Sequence, residues 1–186
     1  VADYVLQHRK SAVVSNLSSS RALTDVAEQH GCRHYASAVG EVNVIEIMKR
    51  TDALIGGEGN GGIIYPALHY GRDALVGIAL FLSHLVKSGK SCAELRASYP
   101  DYFMSKQKMQ LSEGMDVDGI IQQFKEKYAA EKINDVDGVR VDFADSWVHL
   151  RKSNTEPIIR IYSEAPSQEG ADNLAKRIIS ELESML

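Results

Sequence analysis

The ten residues Arg151-Lys152-Ser153-Asn154-Thr155-Glu156-Pro157-Ile158-Ile159-Arg160 concentrate more chemistry than any other stretch of this chain. Arg151 and Arg160 each offer a planar fork of N–H donors that matches two phosphate oxygens at once. Ser153, Asn154 and Thr155 add hydroxyl and amide donors, and small polar residues of this kind favour a tight turn with exposed backbone N–H groups. Ile158, Ile159, Ile161 and Tyr162 then read as the start of a strand that would anchor the turn. The combination reads as a clamp for a phosphate monoester. A helix cap is the alternative, because Ser153 and Glu156 have capping-box spacing. Pro157 and the β-branched run after it favour a strand, which leaves no helix to cap.

A second candidate is Gly56-Gly57-Glu58-Gly59-Asn60-Gly61-Gly62, which follows the apolar strand Ala53–Ile55. Five glycines in seven residues let a backbone approach a ligand or adopt positive φ. At the carboxyl end of a strand, such a loop sits where open α/β sheets bind ligands. Glu58 and Asn60 are its only side chains. A carboxylate and an amide on a bare loop suit paired hydroxyls, as on a sugar ring. Neither a Walker A sequence nor a dinucleotide fingerprint is present. A glycine-rich turn with incidental polar residues is the competing reading.

Composition bounds the partners. With 21 Lys and Arg against 25 Asp and Glu, the formal charge is −4, which argues against nucleic acid or an anionic membrane as the main partner. A basic clamp in such a chain fits a small anion. Cys32 and Cys92 are the only cysteines, which suits a reducing, cytoplasmic setting and excludes a disulfide framework. No signal peptide is evident, and the longest apolar run, Ala74–Leu82, is too short to span a bilayer. The chain opens at Val1 rather than Met, which reads as a piece of something longer.

The elements that must position these residues fall into two halves. Strand Ala12–Ser15, a polar turn at 16–20, a helix bearing Leu23, Val26 and Ala27 that stops near Gly31, a short helix over Val44–Met48 and strand Ala53–Ile55 lead to the glycine loop. A helix capped by Asp73 then runs through Lys87 to Gly89. This rhythm predicts an α/β layer domain with a mixed or parallel sheet over residues 1–105. Residues 100–113 read as polar and irregular, apart from a short strand near Met109–Leu111. A helix over Asp116–Lys132, strands Val139–Phe143 and Trp147–Leu150, a third strand after the phosphate turn and a helix over 171–186 predict a small α+β domain over residues 112–186.

Together the two motifs resemble the α-D-phosphohexomutases, the four-domain phosphoglucomutases, phosphomannomutases and phosphoglucosamine mutases. Gly57-Glu58-Gly59-Asn60-Gly61 resembles the family's third-domain sugar loop, Gly-Glu-x-Ser/Asn-Gly. Arg151 to Pro157 resembles its fourth-domain phosphate loop, Arg-x-Ser-x-Thr-x-Pro. Val39-Gly40-Glu41 resembles a third-domain Val-Gly turn that also faces the cleft. The resemblance implies that Glu58, Asn60 and Gly40 meet the sugar. It implies that Arg151, Ser153, Asn154, Thr155 and Arg160 hold the phosphate that is not being transferred. For the second half it implies a TBP-like antiparallel sheet with flanking helices.

The family's phosphoserine loop (Ser-His-Asn-Pro type) and its Asp-x-Asp-x-Asp magnesium loop do not occur here. The chain therefore resembles domains three and four alone, with no catalytic residue and no metal ligand of its own. Mg2+, a hexose 1,6-bisphosphate intermediate and the missing N-terminal domains belong to the full-length enzyme that the resemblance implies. Asn60 and Gly62 lean the loop toward glucosamine phosphate, with mannose or glucose phosphate close behind. Two rival readings are a free-standing sugar-phosphate sensor and a structural α/β protein with an incidental basic turn. His30-Gly31-Cys32-Arg33-His34 is a weak metal candidate, Arg72 falls near the cleft, Trp147 reads as core, and His69 and His149 read as structural, with no evident carboxylate partner.

Overall fold

Val13 and Val14 are both buried because the two faces of their strand are each covered by helices. A computed structural model describes residues 1–112, 115–153 and 156–185. It divides into two units, Val1–Asp101 and Tyr102–Leu186. In the first, β1 (Val13–Asn16) pairs in parallel with β2 (His34–Ser37) and with β3 (Ile55–Gly57). Antiparallel β4 (Ile63–Tyr65) and β5 (His69–Arg72) complete the order β2-β1-β3-β4-β5. Val13 and Ile55 face α1 (Ala2–His8), α2 (Ala22–Gln29) and α4 (Ala74–Ser88), whereas Val14 and Ile64 face α3 (Glu41–Thr51). The period of two along the strands thus feeds two cores, giving an α/β/α sandwich.

The sheet is mixed, as the sequence allows: parallel where helices make the crossovers, antiparallel where the glycine loop turns a hairpin. Asp73 caps α4 by accepting from the Val76 N–H at 2.9 Å, and Gly89 ends it at φ +65°. α4 leaves Leu75, Ile78, Leu82 and Val86 exposed. A short helix, α5 (Cys92–Ala97), follows behind a capping box formed by Ser91 and Glu94. Asp3 draws the unit together, accepting from the Tyr99 hydroxyl at 2.6 Å and pairing with His30 at 2.7 Å.

The second unit is an antiparallel sheet ordered β6-β10-β9-β8-β7, comprising β6 (Phe103–Gln110), β7 (Lys132–Asn134), β8 (Val139–Asp142), β9 (Trp147–Lys152) and β10 (Ile158–Ala165). Helices α6 (Val117–Lys127) and α7 (Gln168–Glu183) cover one face, burying Phe124 and Ile178 against Val141, Val148, Leu150 and Ile161. On the other face, fully buried Trp147 donates its indole N–H to Glu164 at 2.7 Å, and Arg140 stacks 4.2 Å above its ring.

Three expectations need correction. Residues 103–110 are a full strand rather than an irregular segment. Ser105 is buried but polar and Gln107, on the same face, is exposed, which conceals the alternation that ends at Met109. The helix expected through Lys132 stops at Lys127, and Lys132–Asn134 forms an edge strand instead. Five strands therefore stand where three, and a short one near Met109–Leu111, were expected. Among the described residues no helix is long and apolar enough to cross a membrane.

Candidate functional site: a carboxylate loop and an arginine pair

The glycine loop is a tight hairpin. Glu58 N–H donates to the Gly62 carbonyl and Gly61 N–H to the Glu58 carbonyl, each at 3.0 Å. A Cβ on Gly57 would lie 2.2 Å from that Gly62 oxygen, and Gly61 sits at φ +94°, so two of the glycines are geometric requirements.

Glu58 is not displayed loosely. Its side chain is only 7% exposed. Oε1 accepts from Asn16 Nδ2 at 2.9 Å, at the end of β1, and from the Gly40 N–H at 3.2 Å, at the start of α3. Ser19 in turn donates to Asn16 Oδ1 at 2.8 Å. Glu58 Oε2 faces Arg72 Nη1 at 3.9 Å, too far for a direct hydrogen bond. One carboxylate oxygen is therefore locked and the other retains acceptor capacity. Arg72 spans two carboxylates, because its backbone N–H and Nε also bond Glu41 at 2.8 and 2.7 Å. The Arg72 amide, and then its guanidinium, hold the Glu41 carboxyl below the usual carboxylate range.

Gly40 and Glu58, suggested separately by the sequence, are thus hydrogen-bonded neighbours. Asn60 is exposed at the loop tip, its Oδ1 accepting from the Gly62 N–H at 3.3 Å. A mostly apolar cavity of about 300 Å³ opens beside the loop, with Ser15, Ser19 and Glu58 among its polar walls. Asn16 escaped sequence reasoning, although the polar turn it begins was visible.

In the second unit Arg151 on β9 lies directly opposite Arg160 on β10. Arg151 pairs with Asp137 at 3.5 Å and Arg160 with Glu156 at 3.2 Å. The connecting turn is closed by the Ser153 N–H, which donates to the Ile158 carbonyl at 3.0 Å. β6 braces it through the Leu111 N–H and Gln110 Nε2, both donating to the Pro157 carbonyl, at 2.8 and 3.2 Å. A strand follows the turn, so Ser153 and Glu156 cap no helix. Asn154 and Thr155 lie outside the described residues.

Arg151 has a seat that the sequence did not announce. Gly138, at φ +70°, packs so closely that a Cβ there would fall 2.1 Å from the Leu150 carbonyl oxygen. Its neighbour Asp137 supplies both the Arg151 carboxylate and a carbonyl that accepts from His149 Nε2 at 2.6 Å. Burial pushes the His149 imidazole pKa down, and the Asp137 carbonyl only partly opposes it. A neutral buried histidine favours the folded state fully above the unfolded pKa of about 6.5, and that contribution is lost as pH falls below it. The His149 midpoint in an NMR titration is therefore expected below that of an unfolded histidine; a midpoint at or above about 6.5 would contradict this.

His69, expected to lack a carboxylate partner, pairs with Asp73 at 3.1 Å. His30 and His34 look to different groups, His30 to Asp3 and His34 to Ser15 and Thr24. Among the described residues no three His, Cys, Asp or Glu side chains cluster in a way that could hold a metal ion.

Two family models cover nearly the whole chain. Residues 1–102 match "Phosphoglucomutase/phosphomannomutase, alpha/beta/alpha domain III", and residues 106–181 match the "Phosphoglucomutase/phosphomannomutase, C-terminal domain". The chain belongs to this family. A phosphoglucomutase/phosphomannomutase of Thermococcus kodakarensis is 36% identical over 100% of this chain and 41% of its own length. A phosphoglucosamine/phosphogalactosamine mutase of Sulfurisphaera tokodaii is 34% identical over 89% of this chain and 37% of its own. The chain thus spans about 40% of the length of these curated relatives.

Among solved structures, a phosphoglucomutase/phosphomannomutase family protein from Burkholderia thailandensis superposes with a TM-score of 0.79 at 20% identity, over 98% of this chain and 40% of that one. The Aspergillus fumigatus N-acetylphosphoglucosamine mutase, solved with GlcNAc-6P and magnesium, superposes with a TM-score of 0.67 at 17% identity, over 95% and 41%. At these identities the likeness establishes the shared fold. A variant of the latter was solved with glucose 1,6-bisphosphate.

Proposed function

We propose that this chain is the sugar-phosphate-recognising part of a phosphohexomutase that interconverts hexose 6-phosphate and hexose 1-phosphate. The observation that carries the reading is the pair Arg151 and Arg160, set opposite each other on neighbouring strands beside a braced turn. Two guanidinium forks so placed can take a phosphate from two directions, with Ser153, Asn154 and Thr155 as the turn's further donors. Glu58, with one oxygen locked and the other open, would accept from ring hydroxyls alongside Asn60 and Gly40.

In the whole enzyme a serine outside this chain gives its phosphoryl group to one end of the hexose. The bisphosphorylated sugar then turns round, and the serine takes back the phosphoryl from the other end, so the net change is an isomerisation. The residues of this chain bind and orient. The clamp holds whichever phosphate is not moving, and positioning of this kind carries much of phosphoryl-transfer catalysis. Magnesium would be held by the same missing part. The two free cysteines fit a cytoplasmic setting.

Glucosamine phosphate is the preferred hexose in this reading. Asn60 and Gly62 of the sugar loop support it, as does the Sulfurisphaera relative's name. Calorimetric titration of the chain with glucosamine 6-phosphate, mannose 6-phosphate, glucose 6-phosphate and inorganic phosphate tests it. Glu58→Gln should flatten the ranking of the sugars while leaving inorganic phosphate binding unchanged. An unaltered ranking would remove Glu58 from the sugar site. In a coupled assay the chain alone should show no turnover, because it has no phosphoryl group to give.

A further inference from the structure

We propose that Lys108 is a third cation of the phosphate site, so that the clamp spans three adjacent strands; this rests on reading Arg151 and Arg160 as phosphate ligands. Lys108 on β6 lies directly opposite Arg160 on β10, and Arg160 directly opposite Arg151 on β9. Residues opposed across antiparallel strands share a face, with Cβ atoms about 4.5–5.5 Å apart. The three cations therefore form one row. Their sequence neighbours Met109, Ile159, Ile161 and Leu150 point into the core under α6 and α7, so the row lies on the helix-free face.

Like charges placed opposite one another are destabilising unless something neutralises them. Asp137 answers Arg151 and Glu156 answers Arg160, while exposed Lys108 has no ion-pair partner among the described residues. A bound phosphate monoester, carrying about −1.5 to −2 at pH 7, supplies what the row lacks. β6 is also tied to the turn itself, because the amide of Leu111, three residues beyond Lys108, donates to the Pro157 carbonyl. The same brace that holds the turn thus holds Lys108 level with Arg160. Lys106 is the internal contrast: it lies two residue pairs further from the turn, opposite Tyr162, with its ammonium 5.5 Å above that ring.

Titration of the chain with inorganic phosphate at low salt, comparing Lys108→Gln, Lys108→Arg, Lys106→Gln and Arg160→Ala, decides the matter. The expected result is that Lys108→Gln weakens binding about three- to fivefold, the upper range for one solvent-exposed ion pair. Lys108→Arg should restore it and Lys106→Gln should leave it unchanged. Equal weakening by Lys106→Gln and Lys108→Gln would overturn the proposal in favour of a diffuse basic field. Wild-type affinity in Lys108→Gln beside lost affinity in Arg160→Ala would overturn it while leaving the arginine clamp standing. No phosphate binding by the unaltered chain would remove the clamp and Lys108 together.

Discussion

Arg160→Ala is expected to weaken phosphate binding by roughly tenfold to a hundredfold, because a hydrogen bond to a charged group contributes about 1.5–3 kcal/mol. Arg160→Lys should recover only part of this, since an ammonium group cannot reproduce the planar two-donor fork. Stability should hardly change. Arg160 lies on the helix-free face, and its partner Glu156 is half exposed, so the ion pair between them contributes about 0–1 kcal/mol. Calorimetric titration alongside urea denaturation separates the two effects. Unchanged affinity in a folded Arg160→Ala variant would make the basic turn an incidental surface feature. Arg151→Ala is the less clean experiment, because it also removes the Arg151–Asp137 ion pair beside the buried His149.

The largest effect on stability is expected from Trp147. Its side chain is fully buried, donates at 2.7 Å to buried Glu164, and carries the Arg140 guanidinium on its face. Trp147→Ala should cost the second unit about 3–5 kcal/mol through lost contacts and the cavity left behind. That is a large share of the few kcal/mol by which a domain of this size is stable. Trp147→Phe keeps most of the ring but removes the donor to Glu164, and should cost about 1–3 kcal/mol. Urea unfolding followed by circular dichroism measures both. A loss below about 1 kcal/mol for Trp147→Ala would mean that the helix-free face contributes little to the fold.

Much of this was legible from local pattern. Asp73 and Gly89 bracket α4 where capping chemistry requires, and Pro157 with its β-branched followers sent the chain into β10 rather than a helix. Residues 103–110 failed for an equally local reason. Polar Ser105 and Gln107 occupy the face that Met109 buries, and only pairing with β10 along all eight positions makes the segment a strand. Lys132–Asn134 is comparable, an edge strand that borrows its order from β8.

The sequence by itself determined the chemistry: two arginine forks flanking a polar turn, and a carboxylate on a glycine hairpin. These are properties of residue type and short spacing, which covalent geometry and side-chain donors settle within a few residues. Only the tertiary structure decided which groups meet. Asn16 reaches Glu58 across 42 positions, Gly138 seats Arg151, and Lys108 joins the arginine row through strand register. Register depends on how whole faces bury against helices, and a slip of one residue would turn each of these side chains to the opposite face. No local stretch carries that information, because the free energy that selects one register is spread over both cores.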